Sequence, residues 1–174
     1  MMNYQQWIED VSELLGRLDT LDIPYPLGSN VVVRKTSAGV HAPLTANPAV
    51  TAQIGQFYAV CDGISWPDIR SGYFLVKGDE LGRVKDDATP TSIIGESSGS
   101  VLMLGSNGGG TLFAARRTSG DILSLPPGEI INNVYNNSDG RANLIARDFD
   151  GFLIRLKEDL AAFVQGDSEF GYID

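Results

Sequence analysis

Residues 101–125 read VLMLGSNGGGTLFAARRTSGDILSL, and this stretch decides the fold class. Val101, Leu102, Met103 and Leu104 form an unbroken apolar run, the pattern of a strand buried on both faces. Residues 105–110 (GSNGGG) follow, and glycine reaches the positive φ values that other residues avoid, so the chain can reverse there. Residues 111–117 predict a second strand ending in charge. Ser119-Gly120-Asp121 turns again, and Ile122–Leu125 is a third strand stopped by Pro126-Pro127-Gly128. A three-stranded meander is predicted here, and it carries no chemistry of its own.

Outward from the meander, both ends of the chain read as helix. Trp7, Ile8, Val11, Leu14, Leu15 and Leu18 recur at helical spacing, predicting a helix over Tyr4–Leu18. Near the other end Asp148 caps a last helix whose apolar face holds Phe149, Phe152, Leu153, Leu156, Leu160, Phe163 and Val164; Gly166 ends it. A middle helix starts at Asn47-Pro48, with Asn47 as cap and Pro48 at a position that needs no N–H. Val50, Ile54, Phe57, Tyr58 and Cys61 are its buried stripe, and Gly63 is expected to close it as a left-handed cap.

Between these elements, residues 30–35, 73–76 and 93–94 read as short strands, and residues 130–135 as an edge strand or loop. Residues 36–46 are irregular. Residues 77–91 (KGDELGRVKDDATPT) form the most polar stretch and predict an exposed loop or short helical turn. Residues 136–140 (NNSDG) predict a turn. No repeat or linker interrupts the chain, so the expected architecture is a single α+β domain. Its mostly antiparallel, mixed β-sheet carries N-terminal, middle and C-terminal helices.

Composition narrows the function classes. With 174 residues, 43% of them hydrophobic, the chain can bury roughly 70% of its unfolded surface in one domain. Its net charge is −9. Residues 1–87 hold seven basic and eleven acidic side chains and residues 88–174 hold six and eleven, so the charge is no tail. Nucleic acid as a direct ligand is disfavoured, since phosphate contacts need clustered Lys and Arg. A basic protein partner is compatible with this charge. Cys61 is the only cysteine, which leaves no intrachain disulfide and no cysteine-based metal cluster. No stretch approaches the roughly 20 apolar residues that span a bilayer, and no signal peptide opens the chain; a cytoplasmic location is expected.

Catalytic motifs are weak. Gly95-Glu96-Ser97-Ser98-Gly99 matches the G-x-S-x-G elbow, but a strand rather than a helix follows, and the sole histidine, His41, lies upstream. The glycines at 105–110 lack the Gly-Lys-Ser/Thr and the helix of a phosphate loop. Cys61 sits on an apolar stripe, and His41 has no partner at metal-ligand spacing. The Asn136–Asp139 cluster lacks the glutamate of a calcium loop, and Asp148 with Asp150 reads as helix-dipole compensation. No catalytic residue, cofactor or metal is expected.

Three segments, in order, resemble a known family. They are residues 57–63 (FYAVCDG), the glycine hairpin with Thr111-Leu112-Phe113, and residues 145–153 (IARDFDGFL). The last is similar to the ala-x-ser-phe-x-x-phe-leu ending of the SMI1/KNR4 proteins, the SUKH superfamily. Asp62 stands where that family usually has Asn, and Asp148 where it has Ser. The resemblance implies helices packed on one mixed sheet and a non-enzymatic, protein-binding role. In bacteria such domains are often immunity proteins that silence toxin domains, frequently nucleases, of polymorphic toxin systems. In fungi the domain is a regulatory scaffold, and that role, with self-association into a homodimer, is the alternative.

A nuclease toxin holds phosphate in a basic cleft, so the expected docking surface is acidic. Asp79, Glu80, Asp86 and Asp87 crowd one polar loop and are the candidates, against a plain solvated surface. Trp66, in a Ser65-Trp66-Pro67-Asp68 turn expected after the middle helix, is either a core residue covering the end of that helix, the preferred reading, or an aromatic interface anchor.

Overall fold

The computed structural model describes residues 2–35, 47–167 and 173. Along the chain come α1 (Tyr4–Leu18), β1 (Val31–Arg34), α2 (Pro48–Val60), β2 (Cys61–Trp66), β3 (Tyr73–Leu75), β4 (Ser92–Gly95) and β5 (Gly99–Asn107). Then follow β6 (Leu112–Arg116), β7 (Ile122–Leu125), β8 (Ile130–Ile131), β9 (Val134–Asn137), β10 (Asn143–Ala146) and α3 (Phe149–Val164). The domain is α+β, as the sequence predicts. Its sheet is mixed, with all strand pairs antiparallel except β4 with β9.

β5 is the organising strand. Its apolar run is expected to be buried on both faces, and three of its four residues are: Leu102 and Leu104 join the core under the helices, and Val101 joins a second cluster on the other side, against which half-buried Met103 packs. The strand runs on to Asn107, three residues past that apolar run, so the reversal is confined to residues 108–111. Gly105 is strand, not turn, because β3 lies against it. A Cβ there would stand 1.9 Å from the Phe74 carbonyl oxygen. With nine residues, β5 pairs β4 at its start, β3 at its end and β6 along its other edge.

All three helices cover one face. Phe57 of α2 meets Tyr4 and Trp7 of α1 and Phe149 of α3, with ring centroids 5.4–6.1 Å apart. Asn47 and Asp148 cap α2 and α3 as expected, through side-chain oxygens accepting from Val50 N–H (3.3 Å) and Gly151 N–H (2.8 Å). Asp150 instead accepts from the Tyr4 hydroxyl at 2.6 Å and from the Met2 N–H, joining the start of α3 to the start of α1. On α3, fully buried Asp159 accepts from the Tyr73 hydroxyl and from Arg70 Nε at 3.2 Å, and Arg70 lies over the Phe163 ring. This carboxylate is satisfied within the fold, as a buried charge must be.

Other boundaries differ from the expectation too. Helix α2 stops at Val60, and Cys61, Asp62 and Gly63 belong to β2. Gly63 does have positive φ, +103°, but as part of a β-bulge: the register slips between Val32 and Arg34, so that Asp62 and Gly63 together face Val33. Residues 130–135, read as one edge strand or loop, are a hairpin. Asn132 (φ 50°) and Asn133 (φ 63°) form its two-residue turn, in the left-handed conformation that asparagine tolerates best among non-glycine residues. The turn expected over residues 136–140 narrows to 138–140, because Asn136 and Asn137 complete β9.

Candidate functional site

The acidic candidates lie on residues 77–91, which join β3 to β4. Those two strands pair with opposite ends of the same edge of β5, so the connection fills the gap between them. It is pinned at several points. The β2 bulge aims the buried Asp62 carboxylate at the loop's start, where it accepts from Gly78 N–H at 2.9 Å. Leu81 is buried with the helix-side core. At the far end the Asn133 side-chain amide donates to the carbonyls of Asp86 (2.6 Å) and Thr89 (2.8 Å), and its backbone N–H donates to Asp87 O at 3.1 Å. Thr91 N–H returns a bond to Asn133 O at 2.8 Å.

On this frame Asp79, Asp86 and Asp87 are exposed. Asp86 also accepts from Ala88 N–H and the Thr89 hydroxyl, which fixes the local turn. Glu80 differs: it is half-buried and paired with Lys85 at 2.8 Å. The four candidates therefore share a loop but not a side. Of them only Glu80 lines the neighbouring groove, together with Lys77, Arg83 and Lys85.

That groove has a volume of about 420 Å³ and lies on the sheet face opposite the helices. Its floor includes Ser65, Phe74, Ser106 and Leu112, direct cross-strand neighbours on β2, β3, β5 and the start of β6. Sheet strands β4, β8 and β9 cover the rest of that face through the second apolar cluster, so the groove is where this cover ends.

Trp66 corrects one candidate. It is fully buried and stacks on Trp7 with centroids 6.3 Å apart, so it is a core residue and not an interface anchor. The reason is its place on β2, where it faces α1 instead of lying in a turn.

Ser97 (φ 64°) sits in the turn between β4 and β5, and its carbonyl accepts from Arg116; a strand follows it. Burial pushes the Cys61 thiol up to about 12, with a smaller push from Asp62, so it is a poor source of thiolate. His41 lies outside the described residues. Among the described residues no group of three His, Cys, Asp or Glu can hold a metal ion, and no helix is long and apolar enough to cross a membrane.

Sequence reasoning missed Asp62 and Asn133, the two residues that shape the loop. Both carried a signal: a buried Asp-Gly step between apolar residues, and an Asn-Asn pair between short apolar runs. No family model, curated protein or solved structure matches this chain.

Proposed function

We propose that this chain is a non-enzymatic protein-binding domain of the SMI1/KNR4 kind, acting as an immunity protein that binds a basic toxin domain and silences it. The observation that carries this reading is the pre-organised acidic loop. Asp79, Asp86 and Asp87 project from a segment held at one end by Asp62 and at the other by Asn133. A surface already ordered before binding loses less conformational entropy on association, and its charge accelerates encounter with a basic cleft. The layered α+β fold agrees with what the family resemblance implies.

The test has two stages. Capture from native lysate with mass spectrometry identifies the partner, and a purified one-to-one complex is then assayed for loss of the partner's toxic activity. Association is measured for Asp79→Lys, Glu80→Lys, Asp86→Lys and Asp87→Lys combined. Slower association at low salt, with the difference from wild type shrinking as salt rises, is expected. A wild-type rate at low salt removes this loop from the interface. A partner with no toxic activity, or a chain that captures only itself, turns the reading to the scaffold alternative.

A further inference from the structure

The groove beside the acidic loop has the opposite charge character from the loop's outer side. Four charged side chains line it: Lys77, Glu80, Arg83 and Lys85. Glu80 is matched by Lys85 at 2.8 Å. The side chains of Lys77 and Arg83 have no ion-pair or hydrogen-bond partner among the described residues. The groove mouth is thus locally cationic on a chain whose net charge is −9.

Below these cations the surface is apolar. Phe74, Met103 and Leu112 are only half-buried, and they face the groove together with Val76 and Pro90. A volume of about 420 Å³ falls within the roughly 300–1,000 Å³ typical of small-ligand sites. The row Ser65, Phe74, Ser106, Leu112 crosses four strands, hence spans roughly 14 Å at about 4.8 Å per strand. An extended alkyl chain of medium length fits such a row.

We infer that this groove binds an amphipathic organic anion, its apolar body lying across Phe74, Met103 and Leu112 and its anionic head held by Lys77 and Arg83. Burial of the body supplies affinity, and the two unpaired cations select the head charge. The inference is independent of the proposed protein partner. That partner meets the outward carboxylates, and the groove's charge is of the wrong sign for a basic surface.

The test uses 8-anilinonaphthalene-1-sulfonate as a fluorescent probe and decanoate, below its micellar concentration, as competitor. Saturable one-to-one probe binding, displaced by decanoate at least tenfold more effectively than by neutral decanamide, is expected. Lys77→Gln with Arg83→Gln should weaken decanoate at least tenfold while leaving the ligand-free thermal midpoint in place, since both side chains are exposed. Ser106→Trp fills the middle of the row and should abolish binding. If that variant does not fold, the charge variant decides alone. Non-saturable binding, equal competition by the amide, wild-type affinity in the charge variant, or no binding of either anion each overturns the inference.

Discussion

The side-chain amide of Asn133 donates to the backbone carbonyl of Asp86 across 2.6 Å, tying the turn of the β8–β9 hairpin to a loop 47 residues earlier in the chain. The same amide reaches Thr89 O. One residue in the left-handed conformation therefore orders the C-terminal half of the acidic loop.

Replacing Asn133 separates its two contributions. Asn133→Gly keeps the positive φ and removes the amide, and a cost of about 1–3 kcal/mol is expected for two lost hydrogen bonds. Asn133→Ala adds roughly 1 kcal/mol more for the left-handed backbone. Urea unfolding gives both values. Faster amide exchange confined to residues 86–91 in the glycine variant would show that the loop, not the sheet, is released.

The aromatic core makes a second prediction. Phe149 and Phe152 are fully buried, and each truncation to alanine should cost roughly 3–5 kcal/mol. Trp66→Ala should fall in the same range. Trp66→Phe should cost much less, because it also deletes a buried indole N–H that has no hydrogen-bond partner among the described residues. If Trp66→Phe is as damaging as Trp66→Ala in chemical denaturation, the indole is held by more than packing.

Two glycines are expected to respond in opposite directions. Gly105→Ala drives a Cβ into the backbone of β3, which cannot yield as a side chain would, and roughly 3 kcal/mol or more of stability should be lost. Gly55 lies within α2, and a Cβ there meets nothing within 4 Å. Gly55→Ala should stabilise by about 0.5–1 kcal/mol, since alanine loses less entropy on entering a helix. Thermal or urea midpoints of the two variants check the pair.

Alkaline pH should destabilise the fold. Burial raises the Cys61 thiol from an ordinary 9.0 to about 12, so its neutral form is favoured in the folded chain. A raised value stabilises fully below the unfolded value and is lost as pH climbs from about 9 through 12. Tyr4 and Tyr58, also raised by burial, add to the loss above pH 10. Wild type should therefore lose stability more steeply between pH 9 and 10 than Cys61→Ala, whose remaining slope comes from the tyrosines as the pH nears 10. Parallel slopes for the two proteins across that interval would count against the thiol.

Much of this architecture was written in short-range pattern. The spacing of Trp7, Val11, Leu15 and Leu18 is α1 whatever surrounds it, and Asn47-Pro48 and Asp148 open their helices through groups three residues away or fewer. The run from Val101 to Leu104 needs burial on both faces, and that demand made β5 legible as a central strand. The polarity of residues 77–91, with four acidic side chains among them, was equally plain.

Tertiary structure decided what those local signals left open. Positive φ at Gly63 serves a helix cap or a β-bulge equally well; only the pairing of β2 with β1 selects the bulge and turns Asp62 toward Gly78. Gly105 reads as a turn until β3 lies against it, because the same missing Cβ permits either a reversal or a close backbone approach. Trp66 is core because β2 faces it toward Trp7, a contact between residues 59 positions apart. The loop's form depends on Asn133, and the groove on where β4, β8 and β9 stop covering the sheet. Local pattern fixes which residues seek burial; which strand edge, bulge or side chain meets them is set by contacts between residues distant in the chain.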